Sequence, residues 1–122
     1  MSSNPLLAVV ELGGYPDFSR LYTEAGFTPV TVTSVRKALA SLKTQRFNVL
    51  VAEFNFQSDF RDRTSSLESL LAVLQQHSPQ TRIILFYEAE HRPALERLLA
   101  RFPVAHTLTL PVTATQLQTV LA

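Results

Sequence analysis

Five short apolar segments alternate along the chain with segments whose apolar residues recur at helical spacing. Three of them, residues 6–10, 49–52 and 83–86, are continuous apolar stretches, which are typical of strands buried on both faces of a sheet. Strands that alternate with helices of about 10–15 residues predict β-α-β units with right-handed crossovers. The alternation therefore restricts the chain to an α/β fold with a parallel sheet covered by helices on both faces.

The same pattern sets the expected limits of the elements. We expect strands over residues 6–10, 29–33, 47–54, 82–87 and 104–110, separated by helices over residues 17–26, 35–42, 66–77, 91–102 and 113–122. Ser34 is the expected N-cap of the second helix, and Ser65 or Ser66 that of the third. Five such strands fit the flavodoxin-like order 2-1-3-4-5, in which the functional crevice lies at the carboxyl ends of the strands.

The composition limits the classes of function. A chain of 122 residues fits one domain, residues 1–122, and a net charge of +1 favours no nucleic-acid partner. The chain has no cysteine, which excludes disulfides, thiolate metal ligands and a thiol nucleophile. The start of the sequence lacks the basic segment of a signal peptide, and no apolar run is long enough to span a membrane. We therefore expect a cytoplasmic protein with no membrane partner.

Four segments at the strand ends resemble the receiver (CheY-like) domain of bacterial response regulators. They read VVELGGYPDF, FNVLVAE, IILFY and TLTLPV, at residues 9–18, 47–53, 83–87 and 107–112. In receivers, the first segment carries two acidic residues and the second ends in the phosphorylated aspartate. The third ends in Thr or Ser, and in the fourth a Lys precedes a proline that is usually cis. The resemblance covers nearly the whole chain.

The residues that carry phosphoryl chemistry in receivers are mostly replaced. The degenerate phospho-acceptor pocket consists of the residues at these positions, Glu11, Leu12, Glu53, Tyr87, Leu110 and Pro111. Leu12 offers no oxygen ligand for Mg²⁺, and Leu110 removes the cation. Glu53 is longer than Asp by one methylene, about 1.5 Å, and errors near 1 Å can cost about 100-fold in rate. We therefore expect no enzymatic activity, no cofactor and no metal, with only Glu11 and Pro111 matching the family.

Glu53 has two possible roles. It could mimic an acylphosphate, although it supplies about one negative charge where a phosphate supplies roughly −1.5 to −2. We favour the other interpretation, a solvated carboxylate at a strand end. A weak divalent-metal site formed by Glu11 and Glu53, and a phosphate-binding turn at Gly13 and Gly14, are less favoured alternatives.

The resemblance also implies a surface for partners on the fourth helix, the fifth strand and the fifth helix. Candidate residues there are Arg92, Arg97, Arg101 and Thr109. The leading hypothesis is a phosphorylation-independent pseudo-receiver that binds a protein partner in a bacterial signalling pathway, and a homodimer is an option that this hypothesis leaves open. The alternatives are a small-ligand domain that binds a nucleotide, flavin or metal at the strand ends, and a dimerisation domain of a larger regulator.

The loop over residues 54–66 is longer than the corresponding loop of receivers usually is. Loops that are longer than the fold requires are often functional.

Overall fold

The computed structural model describes residues 4–11, 13, 15–54 and 67–121 of the chain. In these ranges five β-strands alternate with α-helices, as the apolar pattern predicts. The elements are β1 (Pro5–Val9), α1 (Ser19–Glu24), β2 (Thr28–Val32), α2 (Val35–Leu42), β3 (Val49–Phe54), α3 (Leu67–His77), β4 (Arg82–Tyr87), α4 (Arg92–Leu99), β5 (His106–Thr109) and α5 (Ala114–Leu121). A short 3-10 turn, Ala89–His91, leads into α4.

The five strands form one parallel sheet in the order β2-β1-β3-β4-β5, which confirms the predicted flavodoxin-like topology. In the sheet, β2 lies next to β1 on one edge, and β3 lies next to β1 on the opposite edge. The carboxyl ends of β1 and β3 therefore lie side by side at the switch point, where open α/β sheets form their crevice. The register places Leu6 beside Val49 and Glu53 beside Phe86.

Side chains alternate between the two faces of the sheet. Leu6 and Val49 belong to a buried cluster under α1 and α5, whereas Leu7 and Leu50 belong to a second cluster under α2, α3 and α4. Each of these four residues has no exposed surface. Helices cover both faces, which is why these strands read as continuous apolar runs. Val49, Val51 and Glu53 are every second residue of β3, so their side chains point to the same face of the sheet. That face is the one covered by α1 and α5.

The observed bounds differ from the predicted ones mainly at element ends. The third strand begins at Val49, and the preceding Phe47 is buried in the core while its carbonyl accepts a hydrogen bond from the Thr81 hydroxyl at 2.7 Å. The last strand is short because it pairs only with residues 84–87 of β4. The fourth helix ends at Leu99, although Phe102 still packs in the core, as its periodicity predicts.

The predicted cap of α2 is confirmed. Ser34 is extended, and its hydroxyl oxygen accepts a hydrogen bond from the Lys37 backbone N–H at 3.1 Å. The other predicted cap, Ser65 or Ser66, and residues 55–66 of the long loop lie outside the described residues. No helix within the described ranges has the length and apolar character needed to cross a membrane. The cytoplasmic location stays a prediction.

Candidate functional site

The carboxylate of Glu53 is buried at the end of β3. The residue is only 3% exposed, and, tyrosines aside, Thr81 is the one other polar residue that is buried within the described ranges. The interpretation of Glu53 as a solvated carboxylate was therefore wrong. The physical reason is its position on the α1 and α5 face, where the connection from β1 to α1 passes over it.

Among the described residues of that connection, three hydrogen-bond donors converge on one oxygen of Glu53. Its Oε2 accepts from the backbone N–H of Glu11 at 3.1 Å, from that of Gly13 at 3.2 Å and from the Tyr15 hydroxyl at 2.6 Å. Gly13 has a φ of 71°, a conformation that favours glycine. A buried charge is tolerated only when it is paired and hydrogen-bonded. These donors therefore hold the β1–α1 connection onto the end of β3.

Tyr15 joins this hydrogen-bonded arrangement to the aromatic core. Its ring contacts Phe86 edge-on, with centroids 5.2 Å apart, and lies nearly parallel to Phe18 at 6.2 Å. Burial, followed by the hydrogen bond and the charge of Glu53, raises the pKa of Tyr15 well above its ordinary value. The phenol is therefore protonated at neutral pH and acts as a donor. Tyr15 was not among the predicted site residues, and its only sequence signal is a hydroxyl-bearing aromatic two residues after Gly13.

The remaining acidic positions do not assemble a metal centre among the described residues. Glu11 contributes its backbone N–H to Glu53, and its side chain is exposed. Leu12 and Gly14 lie outside the described residues. The described residues contain no group of three or more His, Asp or Glu side chains placed to hold a metal ion. The arrangement uses the carboxylate as a buried hydrogen-bond acceptor.

A second polar arrangement lies at the end of β4. Tyr87 is 4% exposed, and its hydroxyl oxygen accepts hydrogen bonds from Thr109 at 2.9 Å and from the Arg92 guanidinium. The Arg92 guanidinium also lies 5.5 Å from the centre of the Tyr87 ring. The Thr109 bond, and to a lesser extent Arg92, lowers the pKa of Tyr87 below its ordinary value. This phenol thereby ties β4 to β5 and to the start of α4.

Leu110 and Pro111 follow directly after β5. The peptide bond between them is cis, as the resemblance to receivers implies. The Leu110 N–H donates to the Tyr87 carbonyl at 2.8 Å, and the Leu110 side chain packs against the cluster under α1 and α5. The position that the sequence resemblance pairs with the lysine of receivers therefore holds an apolar side chain.

The structure gives direct contacts for three of the four predicted surface residues. Arg92 and Thr109 meet at the Tyr87 hydroxyl, and Arg92 also pairs with Glu96 at 3.1 Å. Arg101 contacts Glu68 of α3 instead. Arg97 is exposed on α4. The structure therefore brings Arg92 and Thr109 together at Tyr87, and a partner surface formed by all four residues stays a prediction.

Comparison with known proteins identifies the fold. The sequence matches no protein-family model, and no curated protein matches it. Among solved structures, the chemotaxis protein CheY4 of Vibrio cholerae is similar at 22% identity and a TM-score of 0.76, covering 98% of this chain and 97% of that one. A signal receiver domain of an HD domain-containing protein from Pseudomonas fluorescens aligns at 16% identity and a TM-score of 0.76, covering 98% and 92%.

A third similar structure belongs to a family of redox sensors in the streptococci that evolved from two-component response regulators. It aligns at 14% identity and a TM-score of 0.77, covering 96% of this chain and 48% of that one. The chain thus has the receiver fold of CheY-like response regulators, as its sequence resemblance predicts.

Replacing Tyr15 with Phe should destabilise the protein by about 1.5–3 kcal/mol, because hydrogen bonds to charged groups contribute about that much. The change removes only the hydroxyl that donates to Glu53. Urea unfolding at pH 7, followed by circular dichroism, measures the change. The matched control is Tyr22→Phe, which removes a hydroxyl that makes no hydrogen bond to a described residue and should cost less than about 0.5 kcal/mol. Equal losses in the two variants would contradict the assigned role of Tyr15.

Stability should fall at alkaline pH partly through Tyr15. The folded-state pKa of Tyr15 is raised, so the unfolded chain loses this proton first as the pH rises above the ordinary tyrosine value near 10. The contribution of Tyr15 to the free energy of unfolding is fully present below pH 10, and it is lost as the pH rises from there towards the folded-state pKa. In Tyr15→Phe, the decline in unfolding free energy above pH 10 should be shallower by about 1.4 kcal/mol per pH unit. Urea titrations from pH 8 to 11.5 test this, and equal slopes would contradict it.

Proposed function

We propose that this protein is a phosphorylation-independent pseudo-receiver that acts as a protein-interaction module in bacterial signal transduction. The observation that carries the proposal is the buried Glu53 carboxylate, whose Oε2 is held by the Tyr15 hydroxyl at 2.6 Å. It occupies the position at which receivers carry the aspartate that is phosphorylated. The receiver fold supports the signalling role, and the altered pocket supports its independence from phosphoryl transfer.

Phosphorylation of a carboxylate needs an accessible oxygen and a cation to stabilise the transferred group. Glu53 is 3% exposed, its Oε2 is bound by the Tyr15 hydroxyl, and it pairs with Phe86 of β4 in the sheet. An incoming phosphoryl donor would have to displace Tyr15 and break its charge-assisted hydrogen bond. Leu110 supplies no positive charge at the lysine position. Both steric access and electrostatic stabilisation therefore oppose the reaction.

A permanently ordered partner surface is consistent with the second arrangement. In receivers, a hydroxyl at the end of the fourth strand couples phosphorylation to a change of shape, and the surface of the fourth helix and fifth strand contacts partners. Here the Tyr87 hydroxyl is already engaged by Thr109 and Arg92. The start of α4 and the end of β5 are therefore held together without a phosphoryl group. This supports a surface that is competent for binding in the resting protein.

The streptococcal redox sensors offer a parallel for a changed input. They share this fold, and they evolved from two-component response regulators. The present chain has no cysteine, so thiol chemistry is not open to it. The parallel supports the reuse of the scaffold with a different input.

A phosphoryl analogue tests the independence from phosphorylation. Beryllofluoride with Mg²⁺ should leave the ¹H–¹⁵N spectrum of the protein unchanged, since Glu53 is covered and Leu110 offers no cation. Acetyl phosphate with Mg²⁺ should add no mass in intact-protein mass spectrometry. An unaltered receiver domain, treated in parallel, serves as the positive control. Saturable shifts at Glu53 and its neighbours, or a stoichiometric phosphoryl adduct, would sink this part of the proposal.

A charge reversal tests the interaction surface. Arg97 is exposed on α4 and makes no ion pair or hydrogen bond with a described residue, so Arg97→Glu changes the surface charge without removing an internal contact. We expect at least a tenfold lower recovery of the partner in quantitative pull-downs from the native host. Arg36→Glu is the matched control, because Arg36 is exposed on α2, on another part of the surface. Equal recovery with both variants and the native protein would argue against α4 as the binding surface.

A further inference from the structure

A cavity of about 420 Å³ opens between α1 and the adjoining strands β1 and β2. This volume falls within the range of small-molecule sites, about 300–1,000 Å³. Its walls include the aromatic side chains of Tyr15, Phe18 and Tyr22. The small side chain of Ala8 also lines it, together with Thr31 of β2 and Thr33, which follows that strand. The cavity therefore combines aromatic walls with hydroxyl groups, the usual make-up of a small-molecule site.

Tyr22 gives the cavity an unused polar group. The residue is 4% exposed, yet its hydroxyl has no hydrogen-bond partner among the described residues. The hydroxyl oxygen of Tyr22 is not fully buried and retains some solvent-accessible surface. A buried tyrosine hydroxyl ordinarily has a partner. A group that could accept or donate here would therefore complete an interaction that the protein leaves open.

Asp17 sets the sign of the charge at the cavity. Its Oδ1 accepts hydrogen bonds from the Ser19 N–H at 2.9 Å and the Ser19 hydroxyl at 2.6 Å, and these hold the pKa of the carboxyl below its usual range. The pKa of Tyr22 is raised mainly by burial and to a smaller extent by the negative charge of Asp17. Asp17 is the only charged residue that lines the cavity within the described ranges. Lys37 does not line the cavity, but its ammonium donates to the hydroxyl of the lining residue Thr33 at 3.2 Å.

We propose that this cavity binds a small organic cation, an amine with an aromatic body. The ring packs against Tyr15, Phe18 and Tyr22, and the ammonium group faces Asp17 and the Tyr22 hydroxyl. Aromatic faces attract cations as well as apolar rings, and the Asp17 carboxylate adds the opposite charge. Phosphate-bearing ligands are disfavoured at the same place, because no cationic side chain among the described residues lines the cavity to offset repulsion by Asp17.

The site is separate from the phospho-acceptor position but shares one wall with it. Tyr15 lines the cavity with its ring and donates its hydroxyl to Glu53. A ligand that packs on Tyr15 would therefore stabilise the contact that covers Glu53. The inference does not depend on the proposed interaction surface, which lies on α4 and β5.

Three indoles of different charge test the proposal by NMR titration of the full chain. Tryptamine, 3-methylindole and indole-3-acetate present the same ring with a positive, zero and negative charge. We expect saturable shifts at Tyr22 and its neighbours, with tryptamine binding about fivefold more tightly than 3-methylindole, the size typical of an exposed ion pair. Indole-3-acetate should bind more weakly than both. Equal affinity for the three compounds, or no saturable shifts with tryptamine up to 10 mM, would overturn the proposal.

Single-atom variants assign the contacts. Tyr22→Phe should weaken tryptamine binding about fivefold, the equivalent of one hydrogen bond. Asp17→Asn should remove most of the preference for tryptamine over 3-methylindole, and its side-chain oxygen can still accept from Ser19, which preserves the local fold. Glu24→Gln is the control, because Glu24 pairs with Arg20 at the far end of α1 and does not line the cavity. Dispersed spectra verify folding of each variant, and unchanged affinity in both Tyr22→Phe and Asp17→Asn would refute the assignment.

Discussion

The buried carboxylate of Glu53 determines much of the structure at the carboxyl ends of the strands. A charge at 3% exposure on the face of α1 and α5 must be compensated. The β1–α1 connection provides two backbone N–H groups and the Tyr15 hydroxyl, all directed at one oxygen. That requirement brings Tyr15 over the end of β3 and into contact with Phe86 and Phe18. The Glu53 carboxylate thereby fixes the β1–α1 connection to the end of β3.

The end of β4 follows the same principle with a different side chain. Tyr87 places a hydroxyl where Thr109 and Arg92 can both donate to it, and its ring remains in the core. Glu53 and Tyr87 thus each place a polar group where it joins neighbouring elements at the carboxyl ends of the strands.

The sequence was sufficient for the architecture and insufficient for the site. Continuous apolar runs predicted the buried strands and their order, and the Ser34 cap followed from residue type and position. The burial of Glu53 could not be predicted, since a strand-end carboxylate reads the same whether solvent or an aromatic ring lies above it. Tyr15 was missed for the same reason, because its role depends on the path of the β1–α1 connection. Arg92 and Thr109 were identified as surface candidates, but their meeting at Tyr87 depends on the register of β5.

The placement of the tyrosines has a spectroscopic consequence. The chain contains three tyrosines and no tryptophan, and all three lie near the carboxyl ends of the strands or beside the cavity. Tyr15 and Tyr22 line the cavity next to α1, whereas Tyr87 lies between β5 and α4. Tyrosine emission from the native protein therefore originates only in these two regions. Intrinsic tyrosine fluorescence can therefore report structural changes in these two regions without an added label.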